Sequence, residues 1–245
     1  MNGILCAQLA LDYCCTDEEV RDGKNHFTPY RPLEGRRRFR EQEELFLKIA
    51  AVNGKLLFTG REDILTCCRE RYEDCGSAWF FEFAELRALD ALLRGFGCRV
   101  GTAHPFYLSE TPSELDAEGY EIRRYRGAEI ERFRGDARFG EAFSFCPEAP
   151  DLLGIAALRG GKLLGMAGAS ADSPTMWQIG INVEPEARGA GVGTLLVALL
   201  KNEILREGVL PFYGTAASHL ASQRTALAAG FLPAWAELVT ERIEE

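Results

Sequence analysis

The run Arg188-Gly189-Ala190-Gly191-Val192-Gly193-Thr194 constrains this chain more than any other segment. Ahead of it, Met176 to Val183 reads as a strand, and Pro185 holds Glu184 in extended geometry and ends the ladder. Behind it, Val192, Leu195, Leu196, Leu199, Leu200 and Ile204 recur at helical spacing. Lys201, Asn202, Glu203, Arg206 and Glu207 read as the polar side of that helix, and Gly208 as its stop. Strand, glycine-rich turn and helix together make an anion site. The first amides of a helix have no intrahelical acceptor, and the macrodipole adds positive charge there. Glycines let a ligand approach the main chain, and Arg188 adds a full charge, so a diphosphate is the natural occupant.

Three kinds of phosphate loop fit that outline. A Walker A loop needs Gly-Lys-Ser/Thr, and Val192-Gly193-Thr194 has no lysine. A dinucleotide fingerprint starting at Gly189 needs a small residue at Thr194 and an acid at the end of the next strand. That strand, Leu210 to Thr215, has no acid. ATP and NAD are therefore disfavoured, while the spacing R-x-x-G-x-G fits at Arg188, Gly191 and Gly193.

Composition sets outer bounds. A chain of 245 residues, 47% hydrophobic and 27% charged, is enough for one large domain or two modest ones. No apolar run reaches the roughly 18 residues of a membrane span, and Met1 to Leu5 lacks the features of a secretory signal. A cytoplasmic protein with no membrane partner is the expectation. The net charge of −9 argues against a nucleic acid held by its phosphates. The basic run Arg36-Arg37-Arg38 with Arg40 reads as a solvated face beside Glu41, Glu43 and Glu44. Eight cysteines, without a C-x-x-C, read as reduced and mostly buried thiols. The three histidines, His26, His104 and His219, are too far apart in sequence to suggest a metal site.

Two domains are expected, residues 1–112 and 113–245, divided within the polar stretch Ser109 to Glu114. In the first, Asn53-Gly54 between two apolar runs, Leu45 to Val52 and Lys55 to Thr59, predicts a hairpin. Helices are expected over Glu62 to Tyr72 and Ala84 to Arg94, with strands over Ala78 to Phe83 and Cys98 to Leu108. In the second, Tyr120 to Tyr125 reads as a strand, and Ala128 to Phe145 is charged, aromatic and without clear period. Leu152 to Leu158 and Lys162 to Ala169 flank Gly160-Gly161 as another hairpin.

With these residues in place, the carboxy-terminal half resembles the GNAT N-acetyltransferase superfamily. The match lies in Val183-Glu184-Pro185, in Arg188-x-x-Gly191-x-Gly193, and in Ala228-Ala229-Gly230-Phe231 beyond the next strand and helix. It is close over residues 150 to 243 and looser from 115 to 150. The resemblance implies an α/β (α+β) fold, a mixed and mainly antiparallel twisted sheet flanked by helices, with acetyl-CoA as cofactor. It places the pantetheine arm on Ile181, Asn182 and Val183, where a central strand splays from its neighbour. It places the pyrophosphate on Arg188, Gly189, Ala190, Gly191, Val192, Gly193 and Thr194. The acceptor it implies is a primary amine on a small molecule or peptide, attacking the thioester directly.

The family pattern is broken in one place. Many members carry Asn at the start of the last helix and Tyr seven residues later; counted back from Gly230-Phe231, these positions hold His219 and Ala226. Ser218 is expected to cap that helix, with His219 or Ser222 offered to the pantetheine arm. Candidates for the proton-transfer groups are Glu184, Glu237, His219 and Tyr213, with Asp172 beside them. The rival to an N-acyltransferase is a CoA-binding regulatory or interaction module without turnover. The element order of residues 1–112 echoes the second half and suggests a small α/β domain, a diverged GNAT-like repeat. Its loop Thr59-Gly60-Arg61-Glu62-Asp63 has one glycine and two acids, so it would repel a diphosphate. Such a domain can wall an acceptor pocket or make a homodimer contact.

Overall fold

The computed structural model describes residues 1–37, 46–114 and 116–244. Arg38, Arg40, Glu41, Glu43, Glu44 and Leu45, read above as parts of a charged run and a strand, lie outside the described residues. The chain begins with helices α1 (Gly3–Asp12) and α2 (Asp17–Arg21) and strand β1 (His26–Pro29). It continues through β2 (Leu47–Val52), β3 (Lys55–Gly60), α3 (Glu62–Tyr72), α4 (Phe83–Arg94) and β4 (Cys98–Leu108). Then come β5 (Glu121–Arg126), β6 (Asp151–Arg159), β7 (Lys162–Ser170) and β8 (Met176–Val183). The last elements are α5 (Val192–Arg206), β9 (Leu210–Gly214), α6 (Leu220–Ala228) and β10 (Leu232–Arg242).

Two compact units divide this chain, one made of Met1–Phe106 with Ala234–Glu245, the other of Tyr107–Pro233. The division differs from the expected break near residue 112 because the last strand returns to the first unit. There β10 pairs antiparallel with β2, from Ala236↔Ala51 to Val239↔Lys48. Hydrophobic spacing reveals a strand but not its partner, so this return was not readable in the sequence.

In the first unit the strand order is β1-β3-β2-β10-β4. The β2–β3 hairpin turns on Asn53 and Gly54, whose φ angles of 49° and 84° are the pair a type I′ turn requires. Its core gathers Ile49, Phe58, Ile64, Leu65, Tyr72, Leu89 and Leu238. The expected strand over Ala78 to Phe83 is instead a 3-10 turn, Ser77–Trp79, leading into α4. Only Phe80 of that aromatic run is buried at its centre, and Trp79 and Phe83 are 75% and 71% exposed. An unalternating aromatic run carries no period to tell strand from turn.

The basic run is also corrected. Arg37 is 3% exposed. Its Nε donates to Asp12 Oδ2 at 2.5 Å and its Nη2 to Glu237 Oε1. Two carboxylates distant in sequence replace the solvent expected there. Burial works against the guanidinium charge, but Asp12 and Glu237 more than offset it and hold its pKa above the ordinary arginine value.

The second unit has strand order β9-β8-β7-β6-β5, antiparallel except where β8 and β9 run parallel. The strand pleat sorts its side chains into two layers. Ile155, Ala157, Ala167, Ala169 and Ile179 face α5 and join Val192, Leu196, Leu200 and Ile204. Ala156, Leu158 and Met166 face the other way, against Ile130, Phe139, Ala142 and Phe143. That opposite layer is the aperiodic stretch, which folds as 3-10 turns, Gly127–Phe133 and Ala137–Phe139.

Lys201, read as part of the polar face of α5, is 1% exposed. Its ammonium donates to Ser113 Oγ at 2.6 Å and to the Ala229 carbonyl at 2.8 Å, while Asn202 bonds both main-chain groups of Ser113. The stretch leading out of β4 thus covers a helix face that composition alone assigns to water. Both units carry a mixed, mainly antiparallel sheet with helices packed on it, as the resemblance implies.

Candidate functional site

The site begins where two strands part. Strands β8 and β9 pair only at Met176↔Leu210, Trp177↔Pro211 and Gln178↔Phe212. Beyond Gln178, β8 continues to Val183 and β9 to Gly214 without pairing to each other. The result is a cleft of about 1140 Å³ lined by Gln178 to Val183, by the glycine-rich loop, and by Tyr213, Ser222 and Thr225.

Register fixes which main-chain groups face the opening. The Glu184 N–H donates to the Leu164 carbonyl on β7, and the β7–β8 pairing is regular from Gly165↔Val183 to Ser170↔Gln178. Main-chain groups alternate sides along an antiparallel strand. Gly180 and Asn182 therefore turn both groups to β7, while Ile179, Ile181 and Val183 turn theirs toward the opening. The Val183 carbonyl accepts from Arg188 Nε at 3.3 Å, on that same side. Ile181 and Val183 are thus placed to bond an extended arm. Asn182 is not: its main chain serves β7, and its side-chain oxygen accepts the N–H groups of Glu141 and Ala142 at 3.0 and 2.7 Å.

Pro185–Ala187 makes one 3-10 turn after β8, and the loop then rises to α5. Gly191 caps that helix with φ of 79°, a conformation a side chain would strain. The Leu195 N–H donates to the Gly191 carbonyl at 3.0 Å. The amides of Val192, Gly193 and Thr194 come ahead of that bond and have no helical acceptor. No acid stands in the first turn of α5, so nothing there neutralises the positive end of the helix. A Cβ on Gly193 would stand 3.3 Å from Val183 and 3.5 Å from Thr225, so the loop threads closely between β8 and α6. Free amides, an acid-free first turn and Arg188 fit the diphosphate of CoA.

Tyr213, from β9, is 2% exposed and shares a hydrogen bond of 2.8 Å with Ser222 Oγ on α6. Burial raises its pKa and the charge of Glu141 adds to this, against the Ser222 hydrogen bond. His219 is the N-cap residue of α6, exposed and in the cleft wall, and its side chain makes no cap bond. Ser218 does not cap the helix either; Gln223 Nε2 holds the Ala216 and Ala217 carbonyls at 3.2 and 2.7 Å. Glu184 lines the cleft 3.8 Å from Arg138.

Glu237 is placed elsewhere. It is 3% exposed in the first unit, bonded by Arg37 and by Trp235 Nε1 at 2.9 Å, and does not line this cleft. Ala226 is also off the cleft, fully buried in the core, so the helix position where the family pattern looks for tyrosine faces inward. Sequence reasoning missed Arg138, Glu141 and Thr225, which line the cleft. A signal for Glu141 existed in Gly154, Gly168 and Gly180, which lie side by side across β6, β7 and β8. A Cβ at Gly168 or Gly180 would run into the Ala142 or Glu141 carbonyl, so these glycines mark a segment lying flat on the sheet.

Fold and cleft define an α/β protein with a cleft that opens along an unpaired strand edge and ends at an acid-free helix start. Residues 119–231 match the model of the acetyltransferase (GNAT) family, so the chain contains a GNAT acetyltransferase domain, of a family whose reaction is acyl-CoA-dependent acyl transfer. Several solved structures are similar to it. A GCN5-related N-acetyltransferase-like protein from Streptococcus suis is 16% identical over 86% of this chain and 90% of its own, with a TM-score of 0.47. A GNAT-family acetyltransferase from Colwellia psychrerythraea is 16% identical over 80% and 81%, with a TM-score of 0.46. A tandem GNAT protein of the clavulanic acid biosynthesis pathway is 17% identical over 63% and 58%, with a TM-score of 0.43. No curated protein matches the chain.

Proposed function

We propose that this protein is an acetyl-CoA-dependent N-acetyltransferase in which a primary amine, on a small molecule or peptide, attacks the thioester directly. The observation that carries the reading is the unpaired edge of β8 beside the acid-free start of α5. In this reading the pyrophosphate lies on the amides of Arg188 to Thr194, and the pantetheine arm bonds Ile181 and Val183. CoA supplies the activated acyl group. An N–H from Ile179 or Ile181 stabilises the oxyanion that forms on attack. Tyr213, Glu184 and His219, all in the cleft wall, are the groups we assign to contact with the thiol end and to passing protons between the cleft and solvent. A thiolate with an ordinary pKa near 8.5 leaves readily, so the lack of a tyrosine on the cleft face of α6 does not forbid turnover.

A non-catalytic CoA-binding module is the second reading, favoured by the inward position of Ala226. We read the first unit as a cofactor-free repeat, on its hairpin, helix, helix and strand order. A cytoplasmic location without nucleic-acid or membrane partners agrees with the net charge of −9 and eight free thiols. No helix among the described residues is long and apolar enough to cross a membrane.

The test follows CoA release with a thiol reagent across a panel of primary amines, beside the melting shift that CoA produces. Amine-dependent release is expected, with a shift that Arg188→Glu or Gly191→Glu abolishes. A shift without release favours the binding module. A shift that survives both substitutions overturns the cofactor site itself.

A further inference from the structure

We propose that Glu141 receives the ammonium group of the acceptor and takes its proton, making cationic alkylamines the preferred acceptor class; this rests on the N-acetyltransferase reading above. Three observations converge on Glu141. Its segment is fixed: Phe139, Ala142 and Phe143 are buried in the layer beneath, the glycines of β7 and β8 leave room for its backbone, and Asn182 Oδ1 accepts the N–H groups of Glu141 and Ala142. Its side chain is exposed in the wall of the cleft that Tyr213 also lines, and its charge adds to the burial that raises the Tyr213 pKa. Its carboxylate makes no hydrogen bond or ion pair among the described residues, whereas Glu184 stands against Arg138. A carboxylate held rigidly at the unpaired edge of β8, with no cation of its own, has the chemistry to hold one from a ligand.

The acceptor enters as an ammonium ion and gives one proton to the Glu141 carboxylate. The freed nitrogen pair forms the C–N bond, the C–S bond breaks, and the thiolate of CoA leaves with the bonding pair and is protonated from water. The amide nitrogen releases its second proton to solvent. Asn182 is a positioning residue, because it acts only by fixing the Glu141 main chain.

The experiment compares wild type, Glu141→Gln, Asn182→Ala and Asn182→Asp, reading thiol release with alkylamines and with an arylamine that is already neutral at the assay pH. For Glu141→Gln, kcat/KM toward alkylamines is expected to fall about 100-fold or more, and toward the arylamine less than about 10-fold. Its CoA melting shift stays at the wild-type value. Asn182→Ala raises the KM for alkylamines, and Asn182→Asp, which keeps an acceptor for both amides, restores it. Equal losses with both amine classes, or a Glu141→Gln loss below about 3-fold, overturn the proposal while leaving the transferase reading intact. Wild type that shifts with CoA but releases no thiol with any amine overturns both.

Discussion

Each unit of this protein runs a strand into a helix through a glycine, and in our proposal only one of the two junctions holds a diphosphate. In the first unit β3 is accompanied to its end by β1, from His26↔Leu57 to Pro29↔Gly60, and the Tyr30 N–H continues onto the Gly60 carbonyl. Helix α3 then opens with Glu62 and Asp63. Asp63 accepts the Ile64 N–H at 2.9 Å and pairs with Arg61, which holds its carboxyl below the usual aspartate range. In the second unit the neighbouring strand has left by Gln178 and the first helical turn has no acid. A glycine between strand and helix is therefore not enough. The strand must lose a partner, and the helix must lack a carboxylate of its own.

The interiors differ in the same sense. The first unit encloses Asp12, Arg37, Lys48 and Glu237, with Arg37 lying 4.9 Å over the ring of Trp235, which stacks on Phe106. Among the described residues the second encloses only one charged side chain, Lys201, and it carries Glu141, Glu184 and Arg188 at the cleft wall. The largest effect that tests this contrast comes from Glu237→Leu, which takes from the buried Arg37 the carboxylate that its Nη2 donates to. A loss of about 3–5 kcal/mol in urea denaturation is expected. A loss below about 1 kcal/mol would show that the network is not closed to water.

Next in size is the pH dependence of Lys48→Met. Burial pushes the Lys48 ammonium down to about 7, against an ordinary value near 10.4. Below pH 7 both states carry the proton; between 7 and 10 the unfolded chain keeps a proton the folded one has lost. The stability of wild type relative to Lys48→Met should therefore rise with pH across that window. A flat difference between pH 6 and pH 10 would place Lys48 in contact with solvent. The smallest effect is that of Glu62→Ala with Asp63→Ala, which removes both acids from the first turn of α3 and with them the Arg61 pair. An exposed pair of this kind contributes less than about 1 kcal/mol. Because β1 still closes β3, no CoA binding should appear by calorimetry, and its appearance would break the comparison.

The sequence discloses the loop at Arg188 to Thr194 because its signals are local, a proline, three glycines and a helical period, whereas the parting of β8 from β9 is not. The hairpin at Asn53-Gly54 is legible for the same reason, since its turn dictates positive φ. What escaped depends on partners far apart in the chain. Lys201 looks solvated until Ser113 and the Ala229 carbonyl close over it. Arg37 looks solvated until Asp12 and Glu237 meet it from 25 and 200 residues away. Glu237 looked like a cleft residue because the elements just ahead of β10 in sequence, β9 and α6, belong to the second unit. Glu141 was hidden in a stretch with no period, held in place by a layer contact rather than by its own helix or strand.

Strand β10 starts in one unit and ends in the other, and this sets an order of assembly during synthesis. The first unit is made first, yet its β2 edge stays bare, and Arg37 lacks one of its two carboxylates, until residues 234–242 arrive. At about 5–20 residues per second, the wait from Phe106 to Ala234 is roughly 6–25 seconds. For that interval the nascent chain carries an unfinished sheet, so the half synthesised first is the half completed last.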